Sequence, residues 1–303
     1  MMPARGGISL AALSALSAGF GFAIWFALTW ARIGTFEYPL DDVYIQLAMA
    51  EGIAGGTYGI NPGEPASAAS SILYPLLLTP FAGTDFKRLL PLAWNSAGLL
   101  TLGWLLGRWI EEWSTGTVAV FLDLAHGGVF RAFGMAVALA SAAYFLWMNA
   151  TVYNWMARGV YLQHAQMARI EAQLPGVPVA VNDIGRVAWE QDAPVVDLCG
   201  LAYADARRAR QEADGGPVLG WAGALAEAKG ARYEMVYADW FKDGIGTDWQ
   251  LVATLTTLAP IGILGSEVVS IYAIDPTMED DLRAVIERLA PSMPAGATLT
   301  EMN

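Results

Sequence analysis

Charge is scarce in this chain of 303 residues: 15% of its residues are charged, whereas 55% are hydrophobic and 12 are tryptophan. An ordinary soluble domain carries about 25% charged residues, so the deficit implies that part of the chain meets lipid. Basic residues are the fewest, 17 against 29 acidic for a net charge of −12, and they form no cluster. This excludes a nucleic-acid partner, because phosphate binding needs clustered cations. Cys199 is the only cysteine, which excludes an intrachain disulfide and a thiolate metal cluster and leaves the redox compartment open. There is no dinucleotide fingerprint, and the glycines of GGTYGINPG (55–63) lack the Lys-Ser/Thr of a phosphate loop, so they read as turn residues. The two histidines, His126 and His164, have no Cys, Asp or His at metal-ligand spacing and read as structural or surface residues.

The charge that is present is unevenly divided. Residues 178–303 hold 19 acidic and 9 basic residues, and residues 1–177 hold 10 and 8. A bilayer span needs about 20 mostly apolar residues, and three uncharged stretches are long enough: 26 residues between Arg5 and Arg32, 19 between Arg88 and Arg108, and 26 between Arg131 and Arg158. These predict three transmembrane helices within residues 1–160, the first an uncleaved anchor because its apolar run is longer than a signal-peptide core. The stretch from Pro65 to Thr84 carries three prolines and reads as an interfacial or re-entrant segment. The distribution of Lys and Arg does not set an orientation.

After the third stretch the pattern predicts a stalk helix and linker over 161–177, stopped by Pro175 and Gly176. VPVAV (177–181), PVVDLCGL (194–201), YEMVYA (233–238), QLVATLTTL (250–258) and VVSIYAI (268–274) read as buried strands. Helical patterns at 202–213, 222–230 and 278–289 separate them, so residues 178–290 are expected to form a small α/β domain, with 291–303 as a tail. Asp183, Asp197 and Asp239 fall near strand ends, where open α/β sheets bind ligands. Turn and cap chemistry is the plainer reading of all three.

The segment with most chemistry is the loop 33–88. Asp41 and Asp42 follow the first span by about ten residues, where desolvation and mutual repulsion raise a carboxyl pKa and suit it to general-base work. The alternative is that either aspartate caps the helix VYIQLAMAEGIA. A divalent cation at this pair would need further oxygen ligands.

Taken together, Asp41, Asp42, Tyr44, Gly55, Gly56, Asn61-Pro62-Gly63-Glu64, Ser70 and Tyr74-Pro75 resemble the first extracytoplasmic loop of GT-C superfamily membrane glycosyltransferases, closest to the arabinofuranosyltransferase-like group. VAVNDIGRVAWEQDAPVVDLCGLA (179–202) and the later ADWF, LVATL and YAID segments resemble the domain that ends members of that group. The resemblance implies a GT-C-like helical membrane domain, abbreviated, followed by an extracytoplasmic α/β domain in a plasma (inner) membrane. It implies transfer of a sugar from a polyprenyl-phosphate donor to a hydroxyl of a glycan or lipid-linked acceptor. By position Asp41 would be the base and Asp42 its partner. Tyr44, Asn61, Glu64 and Tyr74 would meet substrate, with loop fixing the alternative for Asn61 and Glu64, and Lys87 and Arg88 would meet the donor phosphate. Members of that group usually have ten or more spans, and nothing here corresponds to the middle ones; the join falls within 111–134. The rival expectation is a noncatalytic, membrane-anchored α/β module that binds a glycan, lipid or protein.

Overall fold

The structure, a computed structural model, describes residues 9–114, 140, 143–189, 191–214, 220–241, 244–246, 248–258 and 264–302. The chain divides into two compact units, Met1–Phe36 with Leu89–Asn154, and Glu37–Arg88 with Trp155–Asn303.

In the first unit α1 (Leu10–Ile33) packs along α4 (Leu90–Ser114). Ser9 caps α1 by accepting the Ala12 N–H, and Gly34 ends it in the left-handed conformation. The helices approach closely because position 103 has no side chain: a Cβ there would lie 3.2 Å from the Ser14 carbonyl oxygen. Both are long and apolar enough to cross a membrane, over Ala11–Ile33 and Lys87–Trp109, and only 11% of each apolar window is buried. Leu13, Leu16, Phe20, Leu102 and Trp104 point outward, the reverse of a core helix. The expected third span begins outside the described residues, at 132–139 and 141–142, and its remainder from 143 to 157 is helical, with a π-helical turn at Met148–Val152; His126 and most of the join at 111–134 also lie outside the described residues.

The second unit is built on a six-stranded mixed sheet in the order β2-β1-β3-β5-β4-β6. Its strands are β1 (Val179–Val181), β2 (Val195–Asp197), β3 (Tyr233–Val236), β4 (Gln250–Thr257), β5 (Val268–Ala273) and β6 (Ala297–Glu301). β1 is parallel to β2 and β3, and the remaining pairs are antiparallel. β1 to β3 are buried at every position, as strands covered on both faces must be.

The five expected strands form. β6 corrects the expected tail: residues 297–301 pair with β4 from Ala297 to Glu301. The stalk expected over 161–177 also differs: α5 (Tyr153–Leu162), which begins within the expected third span, breaks at Gln163, and α6 (His164–Glu171) follows with Met167 and Ile170 buried in the domain. In the same unit lies the loop 37–88, with α2 (Asp42–Ala54) and α3 (Leu73–Leu78). α2 packs on both α3 and α7 (Gly185–Ala188), the short helix after β1. Ile72, Leu73, Leu76 and Leu77 of the former proline-rich stretch are exposed.

Candidate functional site

Three chain segments meet at the carboxyl end of β1. Asp41 stands at the start of α2, yet its side chain makes no bond to that helix. The backbone carbonyl of Asp41 takes the Tyr44 N–H instead, and the carboxylate turns away to accept the Arg186 N–H of α7 on Oδ1 at 2.8 Å. Only glycine can sit beside it: a Cβ at Gly185 would lie 2.3 Å from both the Asp41 carbonyl oxygen and Oδ2. The capping alternative therefore fails for Asp41. Asp42, in the first turn of α2, is exposed and points its charge at the helix terminus.

The break at Gln163 puts His164 at the start of α6, with its ring between two carboxylates. Nδ1 lies 3.2 Å from Asp41 Oδ1 and Nε2 lies 3.3 Å from Asp183 Oδ2. Asp183 follows β1 by two residues, and its neighbour Asn182 accepts the Tyr237 N–H at 2.8 Å, tying the ends of β1 and β3 together. Tyr237 donates its hydroxyl hydrogen to Gln163 Oε1 at 2.6 Å, which leaves the same oxygen as an acceptor 3.2 Å from His164 Nε2. His164 is 2% and Asp41 8% exposed, while the Asp183 side chain is 28% exposed. Solvent therefore reaches the cluster from the Asp183 side.

Burial raises the Asp41 pKa, against the pull of His164. Burial works against a charged His164, but Asp183 and Asp41 outweigh it and hold the imidazole protonated well above its usual range. Burial also raises Asp183, but the imidazolium overcomes it and brings the carboxyl to about 2. The Tyr237 phenol is pushed up to about 12, chiefly by burial. Each of Asp41, His164 and Asp183 offers a ligand atom, all within 4.8 Å of one another. The cluster can thus hold protons or a cation.

Beside it lies an aromatic and cationic wall. The Arg186 guanidinium stacks 5.1 Å from the Tyr44 ring centroid and 4.7 Å from that of Trp189, and Lys87 Nζ lies 5.7 Å from the Trp189 ring. Tyr44 is buried and donates to Glu37, which also pairs with Arg88 at 3.1 Å. Lys87 pairs with Glu51 at 2.7 Å. The expected cations are therefore neutralised by carboxylates, and the Arg186 charge was not anticipated.

Asn61 and Glu64 lie at a separate contact. The Asn61 amide accepts Val195 N–H on Oδ1 at 3.0 Å and donates Nδ2–H to Val195 O at 2.9 Å, completing the ladder of edge strand β2. Glu64 pairs with Lys229 at 3.3 Å. Tyr74 is half-buried in α3, where its N–H donates to Ser71 Oγ. Of the strand-end acids, Asp197 takes the Cys199 and Ala202 N–H groups and is a turn former, and Asp239 is exposed. Asp183 alone joins Asp41. His164 is buried rather than at the surface, and its partners stand 123 and 19 residues away in sequence, where no spacing rule reaches.

No curated protein and no solved structure matches the chain. Over residues 153–272, from α5 into β5, it is similar to the family described as Domain of unknown function (DUF8728), a span that includes His164, Asp183 and Tyr237 but not Asp41.

Proposed function

We propose that the chain is a membrane glycosyltransferase that moves a sugar from a polyprenyl-phosphate donor to a hydroxyl of a glycan or lipid-linked acceptor, with Asp41, His164 and Asp183 as its proton-accepting centre. α1 and α4 cross the membrane, the amino terminus stays inside, and the second unit lies outside. One observation carries the reading: the Asp41 carboxylate, free of capping duty, is gathered with a histidine and a second carboxylate at a strand end open to solvent on one side.

In the reaction the acceptor oxygen forms a bond to the anomeric carbon, and the bond from that carbon to the phosphate oxygen breaks. Polyprenyl phosphate leaves with the electron pair, and the acceptor proton passes to the carboxylate cluster. A phosphate leaving group needs little protonation, so a carboxylate of raised pKa, as burial makes Asp41, suffices as the base. The acceptor enters from the Asp183 side, and Arg186, stacked on Tyr44 and Trp189, supplies positive charge for the donor phosphate. The exposed leucines of α3 face lipid.

The test is transfer from a polyprenyl-phosphate sugar by the full chain in lipid nanodiscs, compared with Asp41→Asn. Loss of transfer in the variant supports the reading. Equal rates in both, or no transfer by a folded parent across polyprenyl-phosphate sugars, favour the noncatalytic anchored module.

A further inference from the structure

We infer that the Asp41, His164 and Asp183 cluster binds one divalent first-row transition ion of the manganese or zinc kind, held by one oxygen of each aspartate and by His164 Nε2. The inference takes the same residues as the glycosyl-transfer reading and rests on that reading for its catalytic meaning.

Asp41 is more than nine-tenths buried, and its Oδ2 has no hydrogen-bond partner among the described residues. Its other oxygen is fixed by the Arg186 N–H, and Gly185 packs against the group, so Oδ2 is held in place. The group facing it is the Asp183 carboxyl, which when ionised has no proton to give. A buried carboxylate aimed at a second carboxylate needs a proton or a metal cation between the two. His164 Nε2 and Asp183 Oδ2 are 3.3 Å apart. Two ligand atoms at that separation, each about 2.1 Å from one ion, subtend about 105°, close to the tetrahedral angle of a zinc-type site.

The donor set also selects the ion. Calcium takes six to eight oxygen ligands, and magnesium keeps most of its water, whereas one imidazole with two carboxylates suits manganese, iron or zinc. Two carboxylates neutralise a divalent charge, and a fourth position stays open on the exposed side of Asp183. An acceptor hydroxyl bound there would have its pKa lowered by the ion. The Tyr237 hydroxyl, 3.2 Å from Nε2 and anchored on Gln163, lies just outside the ligand shell.

The test uses the full chain in detergent, stripped with EDTA and dialysed against micromolar Mn²⁺ or Zn²⁺, with metal content read by mass spectrometry. One ion per chain is expected, with affinity lowered at least about 100-fold by His164→Gln and by Asp183→Asn. Co²⁺ loaded in its place should give visible bands that vanish in His164→Gln. Asp183→Asn, on the open side, keeps the test valid where a change at buried Asp41 stops folding. No ion bound at millimolar Mn²⁺ or Zn²⁺, or binding that neither variant alters, overturns the inference. The two readings separate cleanly. Sugar transfer that persists in EDTA with no bound ion sinks the metal and keeps the transferase, while a bound ion with no transfer from any polyprenyl-phosphate sugar does the opposite.

Discussion

The loop 37–88 meets the sheet domain at two buried polar contacts, and they are finished differently. At Asn61 both ends of the amide are used, one on the N–H and one on the C=O of Val195. At Asp41 one oxygen has its donor and the other has none among the described residues. A satisfied contact holds two segments together and can do nothing else without breaking. An unsatisfied one, kept in place by its surroundings, has capacity left for a proton or a cation.

The sharpest way to break this comparison is to change both contacts in turn. Asp41→Asn should lower sugar transfer about 10²- to 10⁴-fold, measured with a polyprenyl-phosphate donor, while the melting temperature moves little, since the amide keeps the acceptor for the Arg186 N–H. A melting temperature that collapses with the rate would make Asp41 a second Asn61. Asn61→Ala should do the reverse. It strips two buried backbone groups of partners at about 1–3 kcal/mol each, so denaturant unfolding should show a loss of about 2–6 kcal/mol.

A third buried acid sharpens the contrast. Glu171 of α6 is raised to about 7, first by burial and then by the Asp192 charge. The folded form therefore keeps a proton that the unfolded chain, titrating near 4.5, has lost. Stability falls as pH rises through that window, and the loss is complete above 7. Glu171→Gln should remove this slope, gaining about 3 kcal/mol on the parent between pH 5 and 8, read from urea midpoints across pH. Equal slopes in the two proteins would show that Glu171 is ionised in the fold. The smallest effect belongs to the rim of the Asn61 contact. Glu64→Gln breaks a half-exposed pair with Lys229, and urea unfolding should register a loss of no more than about 1 kcal/mol.

Much of this architecture was legible from residue order because strands and helices are local patterns. Val179–Val181 reads as a buried strand and is one, and Val268–Ala273 is a strand buried at all but Val268 and Tyr272. Residues 279–289 show buried Leu282, Val285, Ile286 and Leu289 at helical spacing, behind three acids in the first turn. β6 was not legible, because ATLTE on a sheet edge alternates with threonine and glutamate and lacks the apolar run of the inner strands. α6 read as a stalk because its alanines mark a helix equally well in either setting. Of the site, Asp41 was visible through its neighbours in the loop. His164 was not, because its meaning comes from the break at Gln163 and from two carboxylates brought to it by the fold. Between sugar binding and loop fixing, the hydrogen bonds of Asn61 to Val195 are those of a loop fastener.

The docking of the loop 37–88 onto elements from 155 onward also imposes an order of assembly. About 150 residues separate Arg88 from Tyr237, and at roughly 5–20 residues per second a ribosome needs roughly 10–30 s to bridge them. For the first part of that interval, until Asp183, Arg186 and Val195 are made, the loop exists without its partners. Glu37 and Asp41, acids destined for burial, are in water, and Asn61 has no strand to complete. A nascent chain arrested before Tyr237 should therefore present this loop to proteases and chaperones, and the two halves of the site become one only when the last of the parallel strands has been made.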